Sequence, residues 1–268
     1  LNALHWDARV DPRGWQPRPT VLEAVARHGR EVYHVAPGGF RESGLTRAAL
    51  RGTRYVPAET AGDLVAGIAS AAGGATGSLV LGYHADLDRT GHLRGCTSAA
   101  WKHQLAVADR LVEQVIRVLP EDALLVVTGD HGMVDVPADG CHDADLHPDL
   151  RTGVALLGGE PRTRYVYTEP GAAEDVLATW REVLGGSAWV VSRDEAVEVG
   201  WFGPCVADTM RARIGDVVAA AATEKAAVVA SLTAPGEVAL VGMHGSMTAA
   251  EMRVPLVLAL GAGGRPAS

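Results

Sequence analysis

Apolar residues along this chain follow two recurring patterns: short uninterrupted runs closed by glycine or proline, and longer stretches in which they return every three or four positions. The runs Glu31–Ala36, Ser78–Tyr83 and Leu124–Thr128 are rich in β-branched and aliphatic side chains and read as buried strands. Between them, Val21–His28, Ala61–Ala72 and Thr97–Leu119 carry apolar positions at helical spacing, with Thr20 as a cap before the first and Gly29 as its stop. Helix followed by strand recurs, which predicts a parallel sheet. The longest helix aligns Leu105, Ala108, Leu111, Val112, Val115 and Val118 in a stripe that belongs to a core.

Beyond residue 153 the pattern changes. Gly153–Leu157 and Thr163–Thr168 are strand-like, and the link Gly158-Gly159-Glu160-Pro161 is too short for a crossover, so this pair is expected to be antiparallel. A helix over Ala172–Leu184, a strand over Ala188–Val191 and a helical turn over Arg193–Val199 follow. Strand character returns at Ile214–Ala222 and Ala226–Ala230, although Ala219–Ala222 fits a helix equally well. Val238–Val241 and Val254–Leu260 complete the series as strands. The expectation is one α/β domain over residues 1–268: three layers, a mostly parallel central sheet flanked by helices, and a small antiparallel insertion.

Composition narrows the partners. The 268 residues are 47% hydrophobic and 21% charged, with a formal net charge of −8. That is enough for a large soluble domain, and it argues against a basic face for nucleic acid while allowing a small anionic substrate. Cys96, Cys141 and Cys205 are odd in number and widely spaced, so a reducing, cytoplasmic compartment or inert buried thiols are expected. No apolar run reaches the roughly 18 residues of a membrane span; the nearest, Val217–Leu232, is broken by Glu224 and Lys225. The first residue is Leu1, not methionine, and the zones of a signal peptide are absent, so the chain is expected to begin inside a longer sequence. Neither G-x-G-x-x-G nor a Walker sequence occurs.

Candidate chemistry gathers at three strand-to-loop junctions: Asp88 with His92, Asp130 with His131, and His244. Gly91 supplies a turn in the first, which is read as a loop, and Gly129 and Gly132 flank the second. Taken singly, each group is as readily a helix cap or a hydrogen-bonded corner as a ligand. Together, carboxylates and imidazoles without cysteine suit a borderline divalent ion such as zinc or manganese. Five ligands exceed what one tetrahedral ion uses, and two ions about 3.5–4 Å apart are the common arrangement for in-line displacement at phosphorus. The crowded His142, Asp143, Asp145 and His147 read instead as a solvated loop. Arg162, Arg164, Arg211 and Arg213 read as solvated strand-border cations, and Ser246 lacks the G-x-S-x-G elbow of a nucleophile.

D-x-x-G-H at Asp88–His92, T-G-D-H-G-M at Thr128–Met133 and G-M-H-G at Gly242–Gly245 together resemble the alkaline phosphatase superfamily, and within it the nucleotide pyrophosphatase/phosphodiesterase family. The resemblance covers roughly the C-terminal two-thirds of such a catalytic domain. It implies that Asp88, His92 and His244 hold one zinc ion and that Asp130 and His131 hold part of a second, with manganese as an alternative metal. It also implies hydrolysis of a phosphodiester or nucleotide pyrophosphate bond in a small phosphorylated substrate such as a nucleotide. Other reactions of the superfamily are alternatives: phosphomonoester, phosphonate or sulfate ester hydrolysis, or phosphosugar mutation. A non-catalytic metal-binding remnant is a further alternative. In the family a further metal-binding Asp and a Thr or Ser nucleophile precede the region corresponding to Leu1. Thr20, Ser43 and Thr46 lack the nucleophile's strand-to-helix setting, so no catalytic residue is assigned and the N-terminal part of the domain is expected to be missing.

Overall fold

The computed structural model describes residues 8–74 and 77–263. Its strands are β1 Val32–Ala36, β2 Arg54–Pro57, β3 Leu79–Gly82, β4 Leu124–Thr128, β5 Val134–Asp135, β6 Cys141–Asp143 and β7 Val154–Glu160. They continue with β8 Thr163–Thr168, β9 Ala188–Ser192, β10 Val217–Ala221, β11 Ala227–Val229, β12 Gly242–Met243 and β13 Leu256–Leu260. The chain forms two compact units, one within Leu1–Asp86, Leu105–Val127 and Leu256–Ser268, the other within Leu87–Gln104 and Thr128–Pro255.

In the first unit β1 lies between β2 and β3, parallel to both, with Tyr33 opposite Arg54 and Val80. The preceding helix, Val21–Arg27, starts at a capping box in which the Thr20 hydroxyl accepts from the Glu23 N–H and Glu23 accepts from the Thr20 N–H. Helix Ala61–Gly74 buries Leu64, Ile68 and Ala71, positions that share one face at helical spacing. Gly67 lets it close on β1, because a Cβ there would come within 2.7 Å of Val35 Cγ1. Val35, Leu64, Ile68, Leu111, Val115 and Leu119 form the core of this unit.

Two sequence expectations change here. The buried stripe of the long helix, Ala99–Val118, runs through Leu111 and Val115 and on to Leu119, whereas Leu105 and Val118 are exposed. Strand β4, expected to be buried, pairs with β13 and has one covered face: Leu125 packs on the core, while Leu124, Val126, Leu256, Leu258 and Leu260 stay exposed. Strand β2 and helix Gly44–Ala49 were not foreseen; β2 lacks an apolar run, since Arg54 opens it and Pro57 closes it.

The second unit holds a four-stranded sheet in the order β7-β8-β10-β9, with its described pairings antiparallel, as expected for the first two strands. All of β10 is buried, so Ala219–Ala221 are strand. Those small side chains leave room for helix Ala173–Leu184, whose Trp180 is fully buried with Val166, Val176 and Val217. Two short pairs complete the unit: β6 with β11, parallel, and β5 with β12, antiparallel. Val238–Val241, expected to be a strand, largely gives way to a 3-10 turn over Pro235–Ala239, where proline sits in the first turn and its fixed φ favours helical geometry. Parallel strands with helices, and an antiparallel sheet, give the α/β class expected. Cys96, Cys141 and Cys205 are unpaired, and burial, with Asp135 next, pushes the Cys96 thiol up to about 11.

Candidate metal centre

The segment bearing Asp88 and His92 is a helix, Asp86–Arg94, not a loop. An i, i+4 spacing puts both side chains on one face, with His92 Nε2 3.4 Å from Asp88 Oδ1. Gly91 is a packing residue here: a Cβ would come within 2.5 Å of Met133 Sδ. Gly242 makes the reciprocal approach, since its Cβ would lie 2.5 Å from the Gly91 carbonyl oxygen. That closeness lets β12 orient the helix. His92 Nδ1 lies 2.8 Å from the Gly242 oxygen, and Val241 N–H donates to the His92 carbonyl at 2.8 Å. With Nδ1–H donated to that carbonyl, Nε2 is left as a lone-pair donor facing Asp88.

Past the end of β4, His131 Nδ1 lies 2.9 Å from the Gly132 carbonyl oxygen, and Nε2 lies 3.7 Å from Asp130 Oδ1. Asp130 is exposed and His131 half-buried. Gly132 N–H donates to the Glu251 carbonyl at 2.7 Å. A Cβ on Gly132 would come within 1.9 Å of the Ala250 oxygen, so only glycine permits this crossing.

His244 follows β12 and stacks on His131, with ring centroids 3.5 Å apart and planes inclined by 15°. The His92 ring is 5.1 Å away and Glu160 Oε2 lies 3.8 Å from His244 Nδ1. Burial, reinforced by the neighbouring His131 and His92, pushes the His244 imidazole down to about 4, so it is neutral near pH 7. Burial pushes the Glu160 carboxyl up, against the pull of His131 and His92.

One potential ligand atom from each of Asp88, His131 and His244 lies within 4.8 Å of the others. Asp88 Oδ1 is buried and has no hydrogen-bond partner among the described residues. A buried carboxylate oxygen left unpaired beside imidazole nitrogens is the donor set that a divalent cation satisfies, so these residues fit a zinc-class ion. His92 and Asp130 lie outside this trio: His92 Nε2 is 3.4 Å from Asp88 Oδ1, and Asp130 is exposed beside His131. All five residues belong to one unit.

Other expectations change with burial. Arg162 and Arg164, read as solvated, are 0% and 3% exposed. Arg162 grips Glu251, and Arg164 grips Glu237 while donating from Nε to the Val228 carbonyl at 2.7 Å. The polar stretch around Asp143 and Asp145 is fixed rather than merely solvated. Asp143 Oδ1 accepts from the Asp145 and Ser231 N–H groups, and Asp145 Oδ2 accepts from Leu232, Thr233 and the Thr233 hydroxyl. Ser246 is buried and donates its hydroxyl to the Ala221 carbonyl at 2.6 Å, which leaves it structural. Thr20 and Ser43 are helix N-caps. Glu160, Arg162 and Glu251 border or brace the centre and had no motif to announce them. Glu251 stands as a single charge after Met247-Thr248-Ala249-Ala250, whereas Glu160 and Arg162 sit in the charged run Glu160-Pro161-Arg162-Thr163-Arg164, which reads as an ordinary strand border.

Residues 5–247 match the family model described as type I phosphodiesterase / nucleotide pyrophosphatase. Among curated proteins, GPI ethanolamine phosphate transferase 3 of Eremothecium gossypii is 31% identical over 85 residues, which is 32% of this chain and 8% of that protein. Human ectonucleotide pyrophosphatase/phosphodiesterase 5 superposes with a TM-score of 0.72 at 19% identity, over 92% of this chain and 65% of the other. The inactive murine protein of that name, in complex with AMP, gives 0.67 at 21% identity, over 90% and 63%. Phosphonoacetate hydrolase from Sinorhizobium meliloti, in complex with phosphonoformate, gives 0.62 at 19% identity, over 90% and 68%. The chain therefore spans just under two-thirds of the human protein's length, and at these identities the likeness shows a shared fold, the alkaline-phosphatase-like α/β architecture. Because that family model matches residues 5–247, well over half of the sequence, the chain belongs to the type I phosphodiesterase / nucleotide pyrophosphatase family.

Proposed function

We propose that this chain supplies the metal-binding part of a hydrolase acting on phosphodiester or nucleotide pyrophosphate bonds of a small phosphorylated substrate. In this reading Asp88, His92 and His244 hold one zinc ion, and Asp130 and His131 contribute to a second, with manganese as a substitute. The observation that carries it is the convergence of Asp88, His131 and His244, whose donor atoms come within 4.8 Å of one another from segments far apart in sequence. The trio draws on the ligands of both proposed ions, so it supports a shared metal centre and leaves the division between the two ions to the family resemblance.

Bound zinc would supply Lewis acidity toward phosphate oxygens and lower the pKa of an attacking hydroxyl or water. The chain's own residues prepare that chemistry. His92 keeps its Nε2 lone pair available because Nδ1 is committed to Gly242. His244 stays neutral and so offers a lone pair rather than a proton. Asp130 is exposed beside His131, so its carboxylate is open to solvent and to an incoming ion. No residue of this chain is assigned as nucleophile.

Among the described residues no helix is long and apolar enough to cross a membrane. A soluble nucleotide is the substrate class the AMP complex of the murine relative favours, and the phosphonoacetate hydrolase likeness keeps phosphonate cleavage as the second reading. Metal analysis of the purified protein, followed by a panel of bis-p-nitrophenyl phosphate, a dinucleotide, p-nitrophenyl phosphate and phosphonoacetate, tests both. Zinc retained and a diester cleaved is the expected result. Zinc absent after equilibration with excess metal would overturn the reading, and cleavage of phosphonoacetate alone would select the second.

A further inference from the structure

Glu251 contacts both segments that carry the candidate imidazoles. Its backbone carbonyl accepts the Gly132 N–H at 2.7 Å, one residue past His131. Its side-chain Oε1 accepts the Ser246 N–H at 3.0 Å, two residues past His244, and Oε2 accepts the Thr248 hydroxyl at 2.5 Å. Arg162 holds that carboxylate in two places, Nε to Oε1 at 3.0 Å and Nη2 to Oε2 at 2.6 Å. The guanidinium is itself fixed, because Nη1 donates to the Thr223 carbonyl at 2.7 Å and to the Ala226 carbonyl. The neighbouring Thr163 hydroxyl donates to the Gly245 carbonyl at 2.8 Å. Arg162 is 0% and Glu251 2% exposed, so neither exchanges partners with water.

A buried ion pair of this kind is a weak source of net stability, since desolvation offsets most of the attraction. It is a strong source of geometry, because two parallel N–H donors fix the carboxylate in plane and position. Resting on the metal-binding reading above, we propose that Glu251, clamped by Arg162, is the positioning residue that sets the spacing of His131 and His244. The backbone oxygen and the side-chain carboxylate of this one residue hold the two loops at once, so Glu251 couples the placement of both imidazoles. Groups that orient metal ligands without touching the metal commonly change affinity by about 10–100-fold when removed.

The test is Zn2+ affinity of the full chain, measured by competition with a chromophoric chelator, together with metal-free thermal unfolding. The proteins compared are wild type, His244→Ala, Glu251→Gln, Arg162→Lys and Thr248→Val. We expect Glu251→Gln to weaken zinc binding by roughly 10–100-fold, and Arg162→Lys, which keeps the charge but loses the two-pronged grip, to fall between it and wild type. A Glu251→Gln protein that unfolds cooperatively without metal and binds zinc as wild type does would overturn the positioning role. So would a lowered metal-free melting temperature with unchanged affinity. Should Glu251→Gln fail to fold, Thr248→Val removes one donor from the same carboxylate and is expected to weaken binding near the lower end of that range; unchanged affinity there overturns the inference. If wild type and His244→Ala bind zinc equally, the metal-binding reading itself has failed. If His244→Ala loses zinc and the other variants do not, only the positioning role has failed.

Discussion

The imidazoles of His131 and His244 lie face to face, 3.5 Å between centroids and 15° from parallel. Two cationic rings would repel at that separation, so the stack requires that at most one be protonated, in keeping with the downward shift of His244. Bound zinc would satisfy the nitrogens that this arrangement leaves without protons. Zinc at about 100 times its dissociation constant should therefore stabilise the chain by about 2.7 kcal/mol, a rise of roughly 5–10 °C in melting temperature for a protein of this size. Differential scanning fluorimetry with and without zinc measures it. A chelator should reverse the rise, and Asp88→Asn should abolish most of it.

Gly132 has no room for a side chain, because a Cβ would meet the Ala250 oxygen at 1.9 Å. Gly132→Ala should destabilise the fold by about 3 kcal/mol, at the upper end of overpacking costs. Gly236, in the 3-10 turn with nothing within 4 Å of its would-be Cβ, is the control, and Gly236→Ala should stay within about 0.5 kcal/mol of wild type. Urea unfolding of the two variants separates a local clash from a general intolerance of alanine.

Trp180 is fully buried, yet its Nε1–H finds no hydrogen-bond partner among the described residues. Trp180→Ala should cost about 3–5 kcal/mol through the cavity it leaves. Trp180→Phe should cost much less than its lost area suggests, since an unsatisfied buried donor, itself costing about 1–3 kcal/mol, leaves with the indole. Chemical denaturation of both variants gives the comparison. Equal losses would contradict the unsatisfied state of the indole.

Two carboxylates sit below their ordinary values of 4.5 for Glu251 and 3.8 for Asp135. Burial pushes each up, but Arg162, Thr248 and the Ser246 N–H prevail at Glu251, and the Cys96 and Thr97 donors prevail at Asp135. A depressed folded value means the unfolded chain binds protons first as pH falls. Stability from both groups is thus complete above about pH 5 and declines as pH drops through their ordinary values toward the folded ones. Asp135→Asn should flatten part of that acid limb in melting curves taken from pH 6 to pH 3.

Local pattern carried most of the fold. Helices Val21–Arg27 and Ala61–Gly74 and strands β1, β3 and β8 fall within a few residues of their expected bounds because each has its own caps and its own periodicity. The face a helix buries is not local. Ala99–Val118 has apolar residues on adjacent stripes, and packing selects Leu111 and Val115 over Leu105. Gly91 disguised the helix Asp86–Arg94 as a loop, because its reason for being glycine is a contact with Met133, forty-odd positions on. The candidate ligand types could be read from short motifs, but the buried Arg162–Glu251 pair could not. Arg162 and Glu251 are 89 residues apart, and nothing in either neighbourhood names the other.

The outer face of β4 and β13 presents Leu124, Val126, Leu256, Leu258 and Leu260 to water, each at least half exposed. Natural domains rarely leave such a stripe bare, and a strand pair with aliphatic residues in view templates further strands. At high concentration the polypeptide would stick to itself through these side chains before any test of metal binding could be read. Detergent-free yields and light scattering would then report on this greasy ribbon rather than on the imidazoles.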